Sequence, residues 1–179
     1  MSSRVPGRGG FGHDTWPANN FAWKHGGAPV WQTPSVDPKL GLLYFSTGNA
    51  GPDNTGSGRA GDNLFAASIV ALDVKTGKRK WHYQMVHHDI WDVDTNSAPT
   101  LVDIKKDGQV IPALIQATKM DFLFVLNRDT CEQVWPIEER ASPTSAVQGE
   151  VATTTQPHVP HPDQTIRTSP APGHRQPNI

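Results

Sequence analysis

Several side chains in the middle of the chain could take part in redox or metal chemistry. Asp92 lies in the run His87-His88-Asp89-Ile90-Trp91-Asp92-Val93-Asp94, and a carboxylate there can accept a proton and can sit beside a cation that keeps it ionised. Asn49 offers a neutral amide oxygen, which hard cations bind alongside carboxylates. Lys119 is a compact donor for developing negative charge, and Trp31 has a large indole face on which a planar ring can stack.

Each of these residues also has an ordinary structural interpretation. Asp92 could cap a turn after a strand, and on spacing alone the two interpretations have equal weight. Asn49 begins an Asn-Ala-Gly turn, Trp31 could belong to a core, and Lys119 could be a solvated surface lysine. Asp94 forms an Asp-x-Asp pattern with Asp92 that is too short to decide whether it binds a metal.

The composition excludes several classes of protein. The 179 residues carry 16 Lys plus Arg and 17 Asp plus Glu, a formal net charge of −1, which argues against a nucleic-acid-binding protein or a polybasic membrane-surface protein. The single cysteine, Cys131, excludes an internal disulfide and a cysteine zinc site. No apolar window is long enough to predict a transmembrane segment, and residues 1–12 lack the apolar run of a secretory signal.

The elements that must position these side chains are predicted to be short strands. The 16 glycines and 16 prolines indicate a chain rich in turns, and no segment shows a helical period of useful length. Runs such as Ser-Ile-Val-Ala-Leu-Asp at 68–73 are apolar on both faces, which is typical of strands buried in stacked sheets. The predicted strands are 30–36, 42–47, 68–74, 80–86, 100–104, 112–117, 122–127 and 133–137.

An internal repeat indicates how the strands are assembled. Residues 71–81 read Ala-Leu-Asp-Val-Lys-Thr-Gly-Lys-Arg-Lys-Trp, and residues 125–135 repeat the frame 54 residues later and end at Trp135. Each copy predicts a hydrophobic strand, a tight polar turn and a second strand that ends in tryptophan. A period near 50 residues with about four strands per unit is typical of β-propeller blades, although two unrelated hairpins that share a turn are an alternative. Cys131 replaces Gly77 in the second copy, which costs about 1 kcal/mol if φ is positive there.

The chain divides into two parts by composition. Residues 1–137 hold the Gly-, Pro- and His-rich loop over 1–29 and the strands, and they predict an all-β domain of about two propeller blades. Residues 138–179 contain no Phe, Trp or Tyr but seven prolines, so they bury too little apolar surface to offset the entropy of ordering. We therefore predict that this C-terminal tail is disordered or extended.

The first copy of the repeat resembles the tryptophan-docking motif of the pyrroloquinoline-quinone (PQQ) dehydrogenases, and the similarity runs from about Pro6 to Pro157. The resemblance is strongest to the membrane-type glucose and polyol branch. It implies an eight-bladed quinoprotein propeller of which this chain is an interior fragment or a truncated reading frame. The other stretches that carry the resemblance are Gly26-Gly27-Ala28-Pro29-Val30-Trp31, Gly41-Leu42-Leu43-Tyr44-Phe45-Ser46-Thr47-Gly48-Asn49, Gly61-Asp62-Asn63, the run from His87 to Asp94, Ala117-Thr118-Lys119 and Phe124-Val125-Leu126-Asn127-Arg128.

The resemblance implies a role for each candidate residue. Asp92 is expected to be the general base that takes the proton of the substrate hydroxyl while hydride passes to the quinone. Trp31 is expected to form the floor of the PQQ pocket, and Lys119, 27 residues after Asp92, to hydrogen-bond the quinone oxygens. Asn49, Asp92 and Asp94 are the expected metal ligands, with Ca²⁺ as the metal and Mg²⁺ or a lanthanide left open. The family's glutamate ligand lies in an earlier blade and has no counterpart here.

The implied function is a PQQ-dependent dehydrogenase that oxidises an alcohol, a sugar or a polyol in the periplasm. Its electrons would pass to a cytochrome c or a membrane quinone. Two isolated blades leave strand edges exposed, so we expect the chain to be inactive by itself. The alternative is a non-catalytic propeller scaffold that binds partners. The joint presence of Trp31, Asn49, Asp92 and Lys119 favours the enzyme, while the substrate, the electron acceptor and the oligomeric state stay open.

Overall fold

The computed structural model describes residues 5–160, and in this range the chain is built from antiparallel strands and two very short helical turns. This confirms the all-β prediction. Within the same range no helix has the length and apolar character needed to cross a membrane. The elements are a 3₁₀ turn at His13–Thr15, α1 at Ala22–His25, and strands β1 Ser35–Asp37, β2 Leu42–Ser46, β3 Ser68–Asp73, β4 Arg79–Gln84, β5 Thr100–Lys106, β6 Gln109–Ala117, β7 Leu123–Asn127, β8 Glu138–Ala141 and β9 Thr155–His158.

The first sheet is a four-stranded antiparallel meander in the order β1-β2-β3-β4. Along β2 the buried residues are Leu42, Tyr44 and Ser46, so alternate side chains face the core. In β3 the first four residues are all buried, which agrees with a run that is apolar on both faces. Because β2 and β4 both run antiparallel to β3, they end at the same edge of the sheet.

The second sheet is a three-stranded meander in the order β5-β6-β7. The predicted strand at 133–137 is reduced to a single bridge between Leu126 and Gln133. Pairing stops there because Pro136 has no N–H to donate and the side chain of Gln133 accepts the N–H of Ile137 at 3.0 Å. The predicted strand at 30–36 is likewise shortened to Ser35–Asp37.

The two copies of the repeat form matching turns. Asp73 Oδ1 accepts hydrogen bonds from the N–H and the hydroxyl of Thr76 at 2.7 and 2.8 Å, and Asn127 Oδ1 accepts the N–H groups two and three residues after it. Gly77 has φ 67° and Cys131 has φ 70°, so both occupy the left-handed region. The condition stated for Cys131 is therefore met, and its left-handed conformation costs about 1 kcal/mol relative to glycine.

The two sheets are joined by the tryptophan of the first copy. Trp81 is only 7% exposed, and its Nε1 donates a hydrogen bond of 3.1 Å to the carbonyl of Arg128, at the end of β7 in the second sheet. Arg128 Nε in turn donates to Asp37 Oδ2 at 2.7 Å, which adds a second link from β7 back to β1. Trp135, at the same place in the second copy, is 39% exposed.

The largest apolar cluster contains side chains from both sheets, and a smaller one anchors the N-terminal loop. In the smaller cluster Trp16 is buried, and its Nε1 donates to the carbonyl of Leu64 at 2.6 Å. The buried residues of the larger cluster are Leu42, Tyr44, Ala67, Ile69, Ala71, Trp81, Met85 and Val86 from the first sheet region and Leu114, Phe124 and Leu126 from the second.

The segment that follows residue 137 is extended and paired over the part that the structure describes, one of the two states expected for it. Here β8 and β9 pair as a two-stranded sheet with Glu138 opposite His158, so residues 138–160 are folded. Their order comes from backbone pairing, from polar side chains that bind the rest of the chain, and from His158 and Val159, which pack against the Phe122 ring and the larger apolar cluster. The predicted tail at 161–179 lies outside the described residues, and the division at 137 stays a prediction.

We expect Trp81→Ala to lower the free energy of unfolding by about 3–5 kcal/mol, because it opens a large cavity between the two sheets. Trp135→Ala is the matched control and should cost about 1 kcal/mol or less, since this indole is partly exposed. Urea denaturation followed by circular dichroism measures both. Equal losses for the two variants would show that the sheets do not depend on Trp81 for docking.

Candidate functional site

Lys119 and two carboxylates form the centre of the candidate site. Lys119 Nζ lies 2.7 Å from Asp94 Oδ2 and 3.3 Å from Asp92 Oδ2, and it also donates to the Asp92 carbonyl at 2.9 Å. The hydrogen bond that Lys119 donates to Asp94 raises the pKa of Lys119 above its ordinary value; burial acts against it, and the bond that Lys119 donates to Asp92 adds to the increase. Asp92 and Lys119 are both partly exposed, so this group of charges is open to a ligand.

Asn49 and Trp31 both lie close to the Asp94 carboxylate, at the position of Gly48. The N–H of Asn49 donates to Asp94 Oδ1 at 3.4 Å. A Cβ built on Gly48 would lie 3.1 Å from Asp94 Oδ1 and 3.1 Å from Trp31 Nε1, so the absence of a side chain at 48 lets the indole and the carboxylate come together. The structure therefore brings all five predicted residues into one neighbourhood.

Strand ends place these residues together. Asn49 follows β2, Asp92 and Asp94 follow β4, and Lys119 follows β6. The ends of β2 and β4 share one edge of the first sheet, and docking of the second sheet brings Lys119 to that edge. Further bonds hold the two loops together, since the hydroxyl of Thr95 donates to the carbonyl of Thr47 and the N–H of Lys119 donates to the carbonyl of Asp94.

The backbone at Asp92 is strained. Its φ of 56° lies in the left-handed region, which costs a non-glycine residue about 1–2 kcal/mol. Asp89, with 1% of its surface exposed, holds the loop in this shape: Oδ1 accepts the N–H of Trp91 at 2.9 Å and Oδ2 accepts the N–H of Val93 at 2.8 Å. Hydrogen bonds to a charged acceptor are worth about 1.5–3 kcal/mol each, enough to offset the strain.

Arg59 is a fully buried cation beside this loop. Its guanidinium donates to the carbonyl of Asp89, to the carbonyl of Pro52 at 3.1 Å and to Asn63 Oδ1 at 2.8 Å. Burial raises the pKa of Asp89, while the hydrogen bonds from Trp91 and Val93 and the charge of Arg59 act in the opposite direction. Arg59 thus supplies a positive charge near a carboxylate that is almost entirely withdrawn from water.

The folded segment after residue 137 binds the start of the loop that carries Asp92, at His87 and His88, and also binds Gly56. The side chain of Gln156 accepts the N–H of His87 at 2.9 Å and donates to its carbonyl at 2.6 Å. The carboxylate of Glu150 accepts the N–H of Gly56 at 2.8 and 3.0 Å and lies 3.7 Å from His88 Nε2. A Cβ on Gly56 would collide with the ring of His88, so this close approach requires glycine.

Sequence reasoning missed Arg59, Glu150 and Gln156, and it left Asp89 without a role. Asp89 had a recognisable signal, because an aspartate often binds backbone N–H groups a few residues after itself. Local sequence does not reveal which loop the other three bind, since Arg59 lies 30 residues from Asp89, Gln156 lies 69 residues from His87 and Glu150 lies 94 residues from Gly56. Asn63 has φ 58°, and its side-chain oxygen accepts a hydrogen bond from the Arg59 guanidinium.

The oxygen donors at this site suit a hard cation, but there are too few of them to fill its coordination shell. Asn49 uses its amide N–H groups on Ala50 O at 3.2 Å and Asp53 Oδ1 at 2.8 Å, so its amide oxygen is the atom it can offer to a cation beside Asp92 and Asp94. Within residues 5–160, no three His, Cys, Asp or Glu side chains are grouped closely enough to hold a metal alone. A cation here would need further oxygen ligands.

Comparison with known proteins identifies the family. The family model of the PQQ glucose/ethanol/alcohol dehydrogenase β-propeller domain matches residues 6–175, nearly the whole chain. The chain belongs to this PQQ dehydrogenase family. The family and propeller predictions are thereby confirmed.

Individual relatives agree with this assignment. The chain is 43% identical over 129 residues to the quinoprotein glucose dehydrogenase of Gluconobacter oxydans, covering 71% of this chain and 16% of that protein. Its fold is similar to the crystal structure of quinohemoprotein alcohol dehydrogenase from Comamonas testosteroni, with a TM-score of 0.66, 33% identity, and coverage of 82% of this chain and 22% of that one. A europium-containing methanol dehydrogenase gives a TM-score of 0.65 at 31% identity, over 84% of this chain and 26% of that one.

The chain therefore spans between 16% and 26% of the length of these PQQ dehydrogenases. Membership of the family does not test the roles of Trp31, Asn49, Asp92, Asp94 and Lys119. Their roles stay predictions, now supported by their convergence at one edge of the fold.

The pH dependence of stability should include a contribution from Glu150. Although burial acts to raise the pKa of this carboxyl, hydrogen bonds from Gly56 and Thr55 and the nearby His88 lower it below the ordinary 4.5. Its stabilising contribution is therefore complete above pH 4.5 and is lost as the pH falls below that value. Glu150→Gln should make the unfolding free energy less dependent on pH below 4.5.

Urea denaturation between pH 3 and pH 7 measures this effect (roughly the range over which carboxylates titrate). Glu138→Gln is the control, since this glutamate is exposed and pairs only with Arg140 in the described residues. A profile for Glu150→Gln that parallels the unaltered chain would show that Glu150 titrates alike in the folded and unfolded states.

Proposed function

We propose that this chain supplies part of the active site of a PQQ-dependent dehydrogenase that oxidises an alcohol, a sugar or a polyol. The observation that carries the proposal is the convergence of Asp92, Asp94 and Lys119, with Asn49 and Trp31 joined to them at Gly48. A flat aromatic face, an ammonium and three oxygen donors are the groups needed to hold a planar, anionic quinone and its cation.

Each residue has a defined task in this proposal. Bound PQQ supplies a quinone carbonyl carbon that accepts hydride from the substrate. Asp92 takes the proton of the substrate hydroxyl, for which its exposed carboxylate and the positive charge of Lys119 are suited. Lys119 donates hydrogen bonds to the cofactor oxygens and stabilises negative charge there. Trp31, 53% exposed, offers a free indole face to the cofactor ring.

Asn49, Asp92 and Asp94 would hold the metal ion. Their oxygens suit Ca²⁺, and Mg²⁺ or a lanthanide is also compatible with this donor set. Asp94 adds a second negative charge, which a trivalent ion rewards more than a divalent one. A similar fold in a europium-containing methanol dehydrogenase keeps the lanthanide alternative open.

The names of the relatives bear on the substrate. One similar protein is a glucose dehydrogenase and another an alcohol dehydrogenase, so small hydroxyl compounds form the substrate class of the proposal. We place the reaction in the periplasm, with a cytochrome c or a membrane quinone as the electron acceptor. A non-catalytic propeller scaffold remains the alternative, and the convergence of charged and aromatic side chains at one exposed edge favours the enzyme.

The function is tested by a chimera in which this chain replaces the matching segment of the Gluconobacter oxydans quinoprotein glucose dehydrogenase. The chimera should oxidise glucose when PQQ and Ca²⁺ are added. Asp92→Asn should lower kcat by about 10²–10⁴-fold, because the general base is lost. Dye-linked oxidation assays measure the rate, and removal of metal with EDTA should abolish it.

Asp107→Asn is the matched control for this substitution. Asp107 is exposed in the turn between β5 and β6, where asparagine tolerates its φ of 50°. A chimera that folds with the melting temperature of its parent and yet oxidises nothing would favour the scaffold. Full activity of Asp92→Asn would remove Asp92 from catalysis.

Asp94→Asn tests the metal assignment in the same chimera. Loss of one negative ligand should weaken Tb³⁺ binding by about tenfold and Ca²⁺ binding by about fivefold, since the energy scales with the charge of the ion. Titration of indole-sensitised Tb³⁺ emission, with Ca²⁺ as competitor, measures both affinities. Unchanged affinities would show that Asp94 serves Lys119 alone.

A further inference from the structure

The carboxylate of Asp89 lies directly beneath the loop that carries Asp92. It is almost completely buried, and each of its oxygens accepts one backbone N–H group, from Trp91 and from Val93. These two N–H groups flank Asp92 on either side. A single carboxylate that binds both neighbours of a residue draws the loop into a tight arch and turns the residue between them outward.

The backbone conformation of this arch places Asp92 against Lys119. Asp92 has φ 56°, and both its carbonyl oxygen and its carboxylate accept hydrogen bonds from Lys119 Nζ. A strained backbone of this kind persists only where surrounding contacts over-determine it. The bonds from Asp89 supply that constraint from inside the fold, whereas Lys119 acts from the exposed side.

Arg59 ties this arch to the loop that begins at Asn49. Its buried guanidinium donates to the carbonyl of Asp89 and also to the carbonyl of Pro52, three residues after Asn49. Asn63 holds Arg59 in turn, because its amide donates to the Arg59 carbonyl at 2.6 Å while its oxygen accepts from the guanidinium. The two loops that carry the oxygen donors therefore share one buried polar anchor.

We propose that Asp89 is a positioning residue, which holds the backbone at Asp92 in its left-handed form and so presents the Asp92 carboxylate to Lys119 and to a bound cation. The effect on cation binding rests on the proposed function, and the effect on the backbone does not. The Asp89 carboxylate is buried near Arg59 and accepts its hydrogen bonds from the backbone N–H groups of Trp91 and Val93, so in this proposal it acts through Asp92 and does not touch the ligand.

Asp89→Asn is the informative substitution because it keeps the size of the side chain. The amide has one acceptor oxygen, and its NH₂ group would face an N–H donor, so one of the two loop bonds is lost. Asp73→Asn is the matched control: Asp73 also accepts a backbone N–H in a turn, at 2.7 Å, but it lies at the end of β3 away from the site.

NMR of the 179-residue chain provides the first measurement. In the unaltered protein the amide protons of Trp91 and Val93 should be protected from exchange, and the chemical shifts of Asp92 should report a left-handed backbone. Asp89→Asn should abolish protection at one or both amides and move the Asp92 shifts toward extended values. Asp73→Asn should leave them unchanged.

Tb³⁺ titration of the same chain provides the second measurement, with emission sensitised by the nearby indoles. Asp89→Asn should weaken Tb³⁺ binding by about 10–100-fold, as is usual for a residue that orients a metal ligand. A cycle with Asp92→Asn separates positioning from general destabilisation. If Asp89 acts through Asp92, the double variant binds Tb³⁺ no more weakly than Asp92→Asn alone.

The outcomes separate the two proposals. Asp92 shifts that do not move in Asp89→Asn overturn the positioning role, and so do multiplicative losses of Tb³⁺ affinity in the double variant. If Asp89→Asn fails to fold, amide-proton exchange in the unaltered chain tests the proposal instead. Unprotected amides at Trp91 and Val93 refute the arch, and protected amides support it. Absence of Tb³⁺ binding to the unaltered chain counts against the metal site and leaves the backbone measurement decisive for Asp89.

Discussion

The docking of the two sheets is the constraint on which the candidate site depends. Lys119 follows a strand of the second sheet, whereas Asp92 and Asp94 follow a strand of the first. Their ion pairs require the two sheets to stay docked, and Trp81 contributes to that docking through the shared apolar cluster and through its bond to the Arg128 carbonyl. Hydrophobic burial, which has no directional preference, thus holds together charges whose chemistry depends on distances of about 3 Å.

Two buried polar side chains, Arg59 and Asp89, fix the positions of the loops that carry the candidate site. Arg59 and Asp89 are withdrawn from water, and their cost is met by hydrogen bonds to backbone groups on two neighbouring loops. Such a network has few alternative arrangements, because moving either loop would leave a charged group without partners. The exposed pair of Asp92 and Lys119 contributes little to stability by comparison and is free to respond to a ligand.

Local pattern allowed much of the fold to be predicted. The runs that became β2, β3, β6 and β7 are rich in apolar residues, many of them aromatic or β-branched, and the turn at Asp73 follows from an aspartate and a threonine three residues apart. Local pattern failed at the predicted strand 133–137, where a proline and a glutamine side chain end the pairing. It did not reveal how residues 138–160 are held, because Glu150 and Gln156 bind partners far away in the chain.

The sequence alone determined the all-β class, the Trp-docked repeat and the membership of the PQQ dehydrogenase family, because these depend on residue type and on short spacings. It also named five candidate side chains, but not their mutual distances. Only the tertiary structure decided that Trp31 and Asp94 meet across Gly48, that Lys119 bridges two carboxylates, and that Asp89 supports the loop from within. The reason is that Lys119 lies 25 residues from Asp94 in the chain and Trp31 lies farther still, so chain packing, not local propensity, sets whether they meet. The Asp89 turn is local, and only the tertiary structure shows that the turn is buried and presents Asp92 to Lys119.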